Sequence, residues 1–148
     1  MQIAQYGAVF MLTDLDANEC APSLVANWLG NIVCPAKFLL RVAVREVEAW
    51  LMADRSGFAK FMGIATDQVP PEVEKVADPK MHLLKLARGA RRDLRTALLP
   101  PTKSAAIQGF DYNVVLSTFV REKWSSARAV DNSDSLRRTV ERLRMISS

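Results

Sequence analysis

The chain has 148 residues, of which 49% are hydrophobic and 24% are charged. This balance is typical of a soluble globular protein, and the length predicts a single domain over residues 1–148. No apolar run approaches the roughly 20 residues that cross a bilayer. The first residues lack the basic flank of a signal peptide, and the two cysteines follow no paired spacing. We therefore expect no membrane association and a cytoplasmic location.

The net charge of +4 is unevenly distributed along the chain. Residues 1–78 contain six basic and ten acidic side chains, whereas residues 79–148 contain fourteen basic and six acidic ones. An acidic cluster beside a basic half suits a metal-dependent enzyme that acts on polyanions. The alternative is a helical surface that is rich in arginine.

Two early segments have the pattern of strands. Residues 7–13 contain a run of apolar, β-branched and aromatic side chains, which predicts a buried strand. Residues 37–44 are almost continuously apolar, which favours a strand that is buried on both faces of a parallel or mixed sheet. Helical patterns dominate the rest of the chain. The predicted fold is α/β, a small parallel or mixed sheet flanked by helices, with a helix-rich C-terminal part.

The predicted helices are marked by apolar spacing and by end signals. Asp54 is interpreted as the N-cap of one helix, and Asp78 followed by Pro79 predicts the start of another. Residues 69–77 are interpreted as a linker, and the three tryptophans are expected to pack in the core. In the helix over 110–124, the predicted buried face consists of Val114, Val115, Thr118 and Phe119. The full set of predicted helices is 23–29, 46–53, 55–62, 80–88, 110–124 and 133–145.

Asp14 and Asp16 stand just beyond the first predicted strand. Because side chains alternate in an extended segment, we expect both carboxylates to point to the same side. Ligands of open α/β sheets gather at the carboxyl ends of strands, and Mg²⁺ or Mn²⁺ prefers oxygen ligands. The pair is therefore a candidate metal site. The alternative is two solvated turn residues or helix caps.

Glu46 and Glu48 follow the second predicted strand. If the two strands are parallel neighbours, their carboxyl ends meet, and either glutamate could face the aspartates as a catalytic group. Converging carboxylates repel one another unless a cation neutralises them. That cation is either a metal ion or an arginine, Arg41 or Arg45, in which case the group is a structural ion pair. Arg45 is also a candidate phosphate ligand.

Residues 132–138 form a third candidate group. Ser133 or Asp134 has the short acceptor side chain of an N-cap before an apolar-periodic run. The functional alternative places the helix start with Arg137 and Arg138 against a phosphate, because a guanidinium can contact two phosphate oxygens.

Four segments together resemble a known bacterial family. They are 9–16, 42–54 with its Glu-Ala-Trp-Leu-Met-Ala-Asp sequence, 78–80 and 133–138. The family is domain-of-unknown-function family 4276, which is similar to RloB proteins and more distantly to Toprim domains. The resemblance implies a Toprim-like fold in which Asp14 and Asp16 match the pair that binds Mg²⁺ for phosphodiester cleavage. It also implies a bacterial defence or mobile-element context and nucleic acid as a partner.

The family pattern normally opens with a further strand, turn and helix that carry a glutamate. The thirteen residues before Asp14 contain neither Glu nor Asp. The resemblance then leaves three readings: a fragment or shortened form, a site that uses Glu46 or Glu48 instead, or a protein without catalysis. Loss of that strand would expose a sheet edge and favour dimerisation. The two main hypotheses are a Mg²⁺-dependent nuclease-like enzyme and a non-catalytic module that binds nucleic acid or a partner protein.

Overall fold

The computed structural model describes residues 7–18 and 20–147. Within these ranges the fold is α/β, with two strands followed mostly by helices. The strands are β1 (Val9–Asp14) and β2 (Phe38–Ala43). The helices are α1 (Ala21–Leu29), α2 (Val47–Ala53), α3 (Arg55–Met62), α4 (Pro79–Ala87), α5 (Arg92–Leu98), α6 (Tyr112–Glu122), α7 (Ser126–Ala129) and α8 (Asp134–Ser147), with 3₁₀ turns at Thr66–Gln68, Val73–Lys75 and Val130–Asn132.

The two strands pair in parallel, with α1 as the crossover between them. Val9 lies opposite Phe38 and Asp14 lies opposite Ala43, so both strands end at the same edge of the sheet. This register confirms the α/β prediction of a parallel sheet. It brings the residues that follow β1 and β2 together, which is the arrangement that a strand-end site requires.

The two strands differ in burial. β2 buries four of its six residues and has the predicted two-sided contacts. β1 was predicted to be buried, and this prediction is wrong: the side chains of Phe10, Met11 and Leu12 are 37–45% exposed. Among the described residues β1 pairs only with β2, so its second edge has no strand beside it. The apolar run therefore marks a strand but not a covered one.

The main core lies between the helices rather than over the sheet. Its fully buried members include Met52, Phe58 and Phe119, and Ala43 joins β2 to it. Val69 and Val73 are also fully buried. The interpretation of residues 69–77 as a linker is therefore wrong, because Val69, just after one 3₁₀ turn, and Val73, at the start of the next, both pack into the main core.

The predicted helix caps are present. The Asp54 side chain accepts a hydrogen bond from Gly57 N at the start of α3, and Asp78 accepts one from Met81 N at the start of α4. Gly63 ends α3 in the left-handed region at φ 75°, where glycine avoids the clash of a Cβ atom. Short polar acceptors before an apolar run were sufficient to place these helix ends.

The predicted buried face of α6 is wrong in part. Tyr112, Leu116 and Phe119 are buried, whereas Val114 is 62% exposed. The helix carries apolar residues on both sides, so spacing alone does not choose the face. The expectation that all tryptophans pack in the core fails for Trp28, which is 53% exposed on α1. Of the helices in the described part of the chain, none is both long and apolar enough to span a membrane.

Candidate metal site at the strand ends

Asp14 ends β1 and links it to α2. Its Oδ1 accepts a hydrogen bond of 2.8 Å from Val47 N, the first amide of α2. Partial burial raises the pKa of Asp14, and the negative charges of Glu48 and Asp16 raise it further. The Val47 amide and the charge of Lys80 act in the opposite direction. The carboxylate is thus fixed in position and crowded by other carboxylates.

Asp16 is exposed in the turn after β1. Its φ is 51°, in the left-handed region that aspartate tolerates better than most residues. Asp16 N donates to Arg45 O at 3.0 Å, and Arg45 Nη1 donates to Asp16 O at 3.3 Å. Asp14 and Asp16 were expected to point to the same side because side chains alternate along a strand. This rule does not apply to Asp16, because β1 ends at Asp14. The turn nevertheless keeps Asp16 near enough to raise the pKa of Asp14.

Glu46 connects the end of β2 to the start of α4. Its Oε2 accepts a hydrogen bond of 2.8 Å from Lys80 N. Partial burial raises the pKa of Glu46, and the charges of Glu48, Asp78 and Asp14 add to the effect. Two of these neighbours, Asp14 and Glu48, were predicted to converge with Glu46. Parallel pairing brings the ends of the two strands to the same edge, where these negative charges act on one another.

Glu48 is the buried member of the group. It is 8% exposed on α2, and its Oε1 accepts a hydrogen bond of 2.8 Å from the hydroxyl of Tyr112. Burial, followed by the charge of Glu48, raises the pKa of Tyr112, so the phenol stays protonated as a donor. The Lys80 ammonium lies 5.2 Å from the centre of the Tyr112 ring, within cation–π range.

We call Asp14, Asp16, Glu46, Glu48 and Asp78 the acidic cluster. Asp14, Glu46 and Glu48 each receive a hydrogen bond on one carboxylate oxygen. The described residues supply no hydrogen bond to the other oxygen of these three groups. Such oxygens are the ligands that Mg²⁺ prefers. The donor set fits a hard cation, although no three His, Cys, Asp or Glu residues among those described are already grouped closely enough to coordinate one.

Arg137 and Arg138 lie on α8 and pair with acidic residues of the same helix. Arg137 forms ion pairs with Asp134 and Glu141, and Arg138 pairs with Asp134 at 2.7 Å. Ser133 Oγ accepts a hydrogen bond from Leu136 N, which confirms that Ser133 caps α8. The phosphate-binding role of both arginines and of Arg45 stays a prediction. The cation that influences Asp14 is Lys80.

Three residues near the candidate site were not predicted to belong to it. Asp78 was interpreted only as a helix cap, whereas its charge also acts on Glu46. Lys80 supplies both a backbone amide for Glu46 and an ammonium group over Tyr112. Tyr112 lies 64 residues from Glu48 along the chain, and no local pattern in the sequence joins them.

Comparison with protein-family models, curated protein sequences and solved structures finds no match to this chain. The family resemblance therefore rests on the sequence motifs alone.

Proposed function

We propose that this protein is a Mg²⁺- or Mn²⁺-dependent, nuclease-like enzyme that cleaves phosphodiester bonds. The observation that carries the proposal is the position of Asp14, Glu46 and Glu48 at the carboxyl ends of two parallel strands, where the charge of each of the other two raises the pKa of Glu46 and that of Glu48 raises the pKa of Asp14. Burial is the main cause of the raised pKa values of Asp14 and Glu46, and the negative charges of the neighbouring carboxylates add to it. A bound divalent cation would remove this repulsion, and it would stabilise the charge on a phosphodiester during cleavage.

The residues take separate roles in this proposal. Asp14 and Asp16 are the metal ligands. Glu48 and Glu46 are the catalytic carboxylates that complete the ligand set or orient a water molecule, and Tyr112 fixes the position of Glu48 through its hydroxyl. The phosphate contacts come from arginines, and the candidates are Arg45, Arg137 and Arg138.

A bacterial defence or mobile-element role and a cytoplasmic location complete the proposal. The first rests on the family resemblance, and the second on two cysteines without paired spacing. The exposed side chains of Phe10, Met11 and Leu12 make β1 the proposed surface for a partner protein or a second copy of the chain.

Cleavage of end-labelled DNA and RNA strands tests the enzymatic proposal. We expect Mg²⁺-dependent cleavage by the wild type and a loss of about 100-fold or more in Asp14→Asn, in line with the effect of removing one electrostatic stabiliser. Asp67→Asn, which changes an exposed aspartate outside the acidic cluster, serves as the matched control. Cleavage that is absent from the wild type, or unchanged in Asp14→Asn, would contradict the enzymatic role.

A second candidate is a non-catalytic module that binds nucleic acid. It is favoured by a cavity of about 640 Å³ whose lining includes Lys60, Arg91, Lys123 and Arg128. Arg128 is paired with Asp54 and Arg91 with Asp93, which leaves Lys60 and Lys123 for phosphate groups. Binding of this kind would need no divalent cation. For each tenfold rise in salt concentration, the logarithm of the association constant would fall by about 0.9 per phosphate neutralised.

One binding experiment distinguishes the enzymatic function from the non-catalytic one. The replacements Lys60→Gln and Lys123→Gln would reduce the salt dependence if the basic cavity binds nucleic acid, while Asp14→Asn would leave it unchanged. Affinity that depends on Mg²⁺ and on Asp14 favours the enzyme instead.

A further inference from the structure

A second cavity, of about 340 Å³, lies beside β2. Its walls come from the start of α1, from consecutive residues of β2 and from the start of α8. The polar groups in these walls include Arg41, Ser135 and Arg138. The volume is at the lower end of the range for small-molecule pockets, about 300–1,000 Å³, so the cavity suits a small ligand.

Arg41 stands out within this cavity because its charge is uncompensated. Its Nε is buried and has no hydrogen-bond partner. Burial and the positive charges of Arg142 and Arg138 all lower the pKa of Arg41. No ion pair joins Arg41 to an acidic side chain in residues 7–18 and 20–147. A buried donor without a partner costs free energy, and neighbouring cations increase that cost.

The acidic side chains that line the cavity are already engaged. Glu74 Oε1 accepts hydrogen bonds from Ser133 Oγ at 2.6 Å and from Ser135 N and Oγ at 2.8 and 2.6 Å. Asp134 is paired with Arg137 and Arg138. These contacts hold Glu74 Oε1 and the Asp134 carboxylate against α8, and neither residue forms an ion pair with Arg41. An anion from outside the chain would supply the counterion that Arg41 lacks.

We propose that this cavity binds a phosphate group, with Arg41 as the main ligand and Arg138 and Arg142 as supporting cations. A guanidinium presents a rigid pair of N–H donors that matches two oxygens of one phosphate. The phosphate group is either inorganic phosphate or the phosphate of a mononucleotide.

This phosphate site is separate from the acidic cluster. Val44 lines the cavity, and Val44 N donates to Ser135 Oγ at 3.4 Å, whereas Asp14 and Glu46 face the starts of α2 and α4. Phosphate binding therefore needs no divalent cation. Arg138 is shared with the proposed enzyme, whereas Arg41 belongs to this cavity alone, so the effect of Arg41→Met is independent of the proposed enzymatic activity.

Calorimetric titration with sodium phosphate in a chelator-containing buffer tests the proposal, and a parallel titration with adenosine monophosphate compares the two sources. We expect saturable binding to the wild type, at least tenfold weaker binding to Arg41→Met, and unchanged binding to Arg95→Met, an exposed arginine on α5. Tighter binding of the nucleotide than of inorganic phosphate assigns the site to esterified phosphate. The reverse order assigns it to free phosphate.

Two further variants distinguish a loss of phosphate binding from a loss of folding and from an effect of the metal site. Arg142→Gln, at an exposed position, is expected to weaken phosphate binding several-fold even if Arg41→Met does not fold. Asp14→Asn/Asp16→Asn is expected to bind phosphate as the wild type does. The proposal is overturned if neither probe binds the wild type, or if Arg41→Met and Arg142→Gln bind phosphate as tightly as the wild type.

Discussion

Asp54→Ala is expected to lower the free energy of unfolding by about 2–3 kcal/mol, the cost of removing a helix cap and a buried charged acceptor of several hydrogen bonds. Asp54 has no exposed surface, and its carboxylate accepts hydrogen bonds from Gly57 N, Ser125 N and two nitrogens of Arg128. It therefore joins α3 to the segment that begins α7. A methyl group replaces none of these contacts.

Urea denaturation of Asp54→Ala and of Asp67→Ala measures this effect. Asp67 is exposed in a 3₁₀ turn, and its replacement is expected to change the free energy of unfolding by less than about 0.5 kcal/mol. Equal stability of the two variants would show that the Asp54 network does not hold these helices together.

The Asp54 network also gives the protein a defined response to acid. Its hydrogen bonds to Arg128, Ser125 and Gly57 outweigh burial and lower the pKa of Asp54. A carboxyl group with a lower pKa in the folded state stabilises the fold above its unfolded-state pKa. That contribution is lost as the pH falls below the usual carboxyl range and through the folded pKa, so we expect the acid sensitivity of the wild type to be smaller in Asp54→Ala.

Asp14→Asn is expected to leave the metal-free protein at least as stable as the wild type at pH 7 while it removes stabilisation by Mn²⁺. The pKa of Asp14 is raised, chiefly by burial and then by neighbouring carboxylates. The ionised form therefore destabilises the fold, and this effect grows as the pH rises through the folded pKa. Asparagine keeps an acceptor for Val47 N but carries no charge.

Thermal unfolding with and without Mn²⁺ separates the two parts of this prediction. At a Mn²⁺ concentration of 100 times the dissociation constant, the wild type should gain about 2.7 kcal/mol, whereas Asp14→Asn should gain nothing. Asp67→Asn should behave as the wild type. A metal-free Asp14→Asn that is clearly less stable than the wild type would show that Asp14 is a structural cap rather than a strained ligand.

Much of the strand-end site could be predicted because it depends on local rules. Parallel strands end at the same edge, so the positions of Asp14 and Glu46 in the sequence were enough to bring them together. Asp54 and Asp78 were identified as caps because short acceptors precede apolar runs. The caps need only residues within a few positions of each other, and the strand ends need only the parallel pairing of two strands.

The remaining features depend on contacts that are distant in the chain. Arg128 lies 74 residues from Asp54, and Tyr112 lies 64 residues from Glu48. No periodic pattern specifies such pairs. The exposure of β1 could not be predicted either. An apolar run indicates that a segment forms a strand, but it does not show whether another element packs over that strand.

The central claim is that the ends of β1 and β2 form a divalent-cation site, and calorimetric titration with Mn²⁺ tests it most directly. We predict saturable binding to the wild type that disappears in Asp14→Asn/Asp16→Asn and persists in Asp67→Asn. Binding that is equally strong in Asp14→Asn/Asp16→Asn, or a wild type that binds no Mn²⁺, would contradict it.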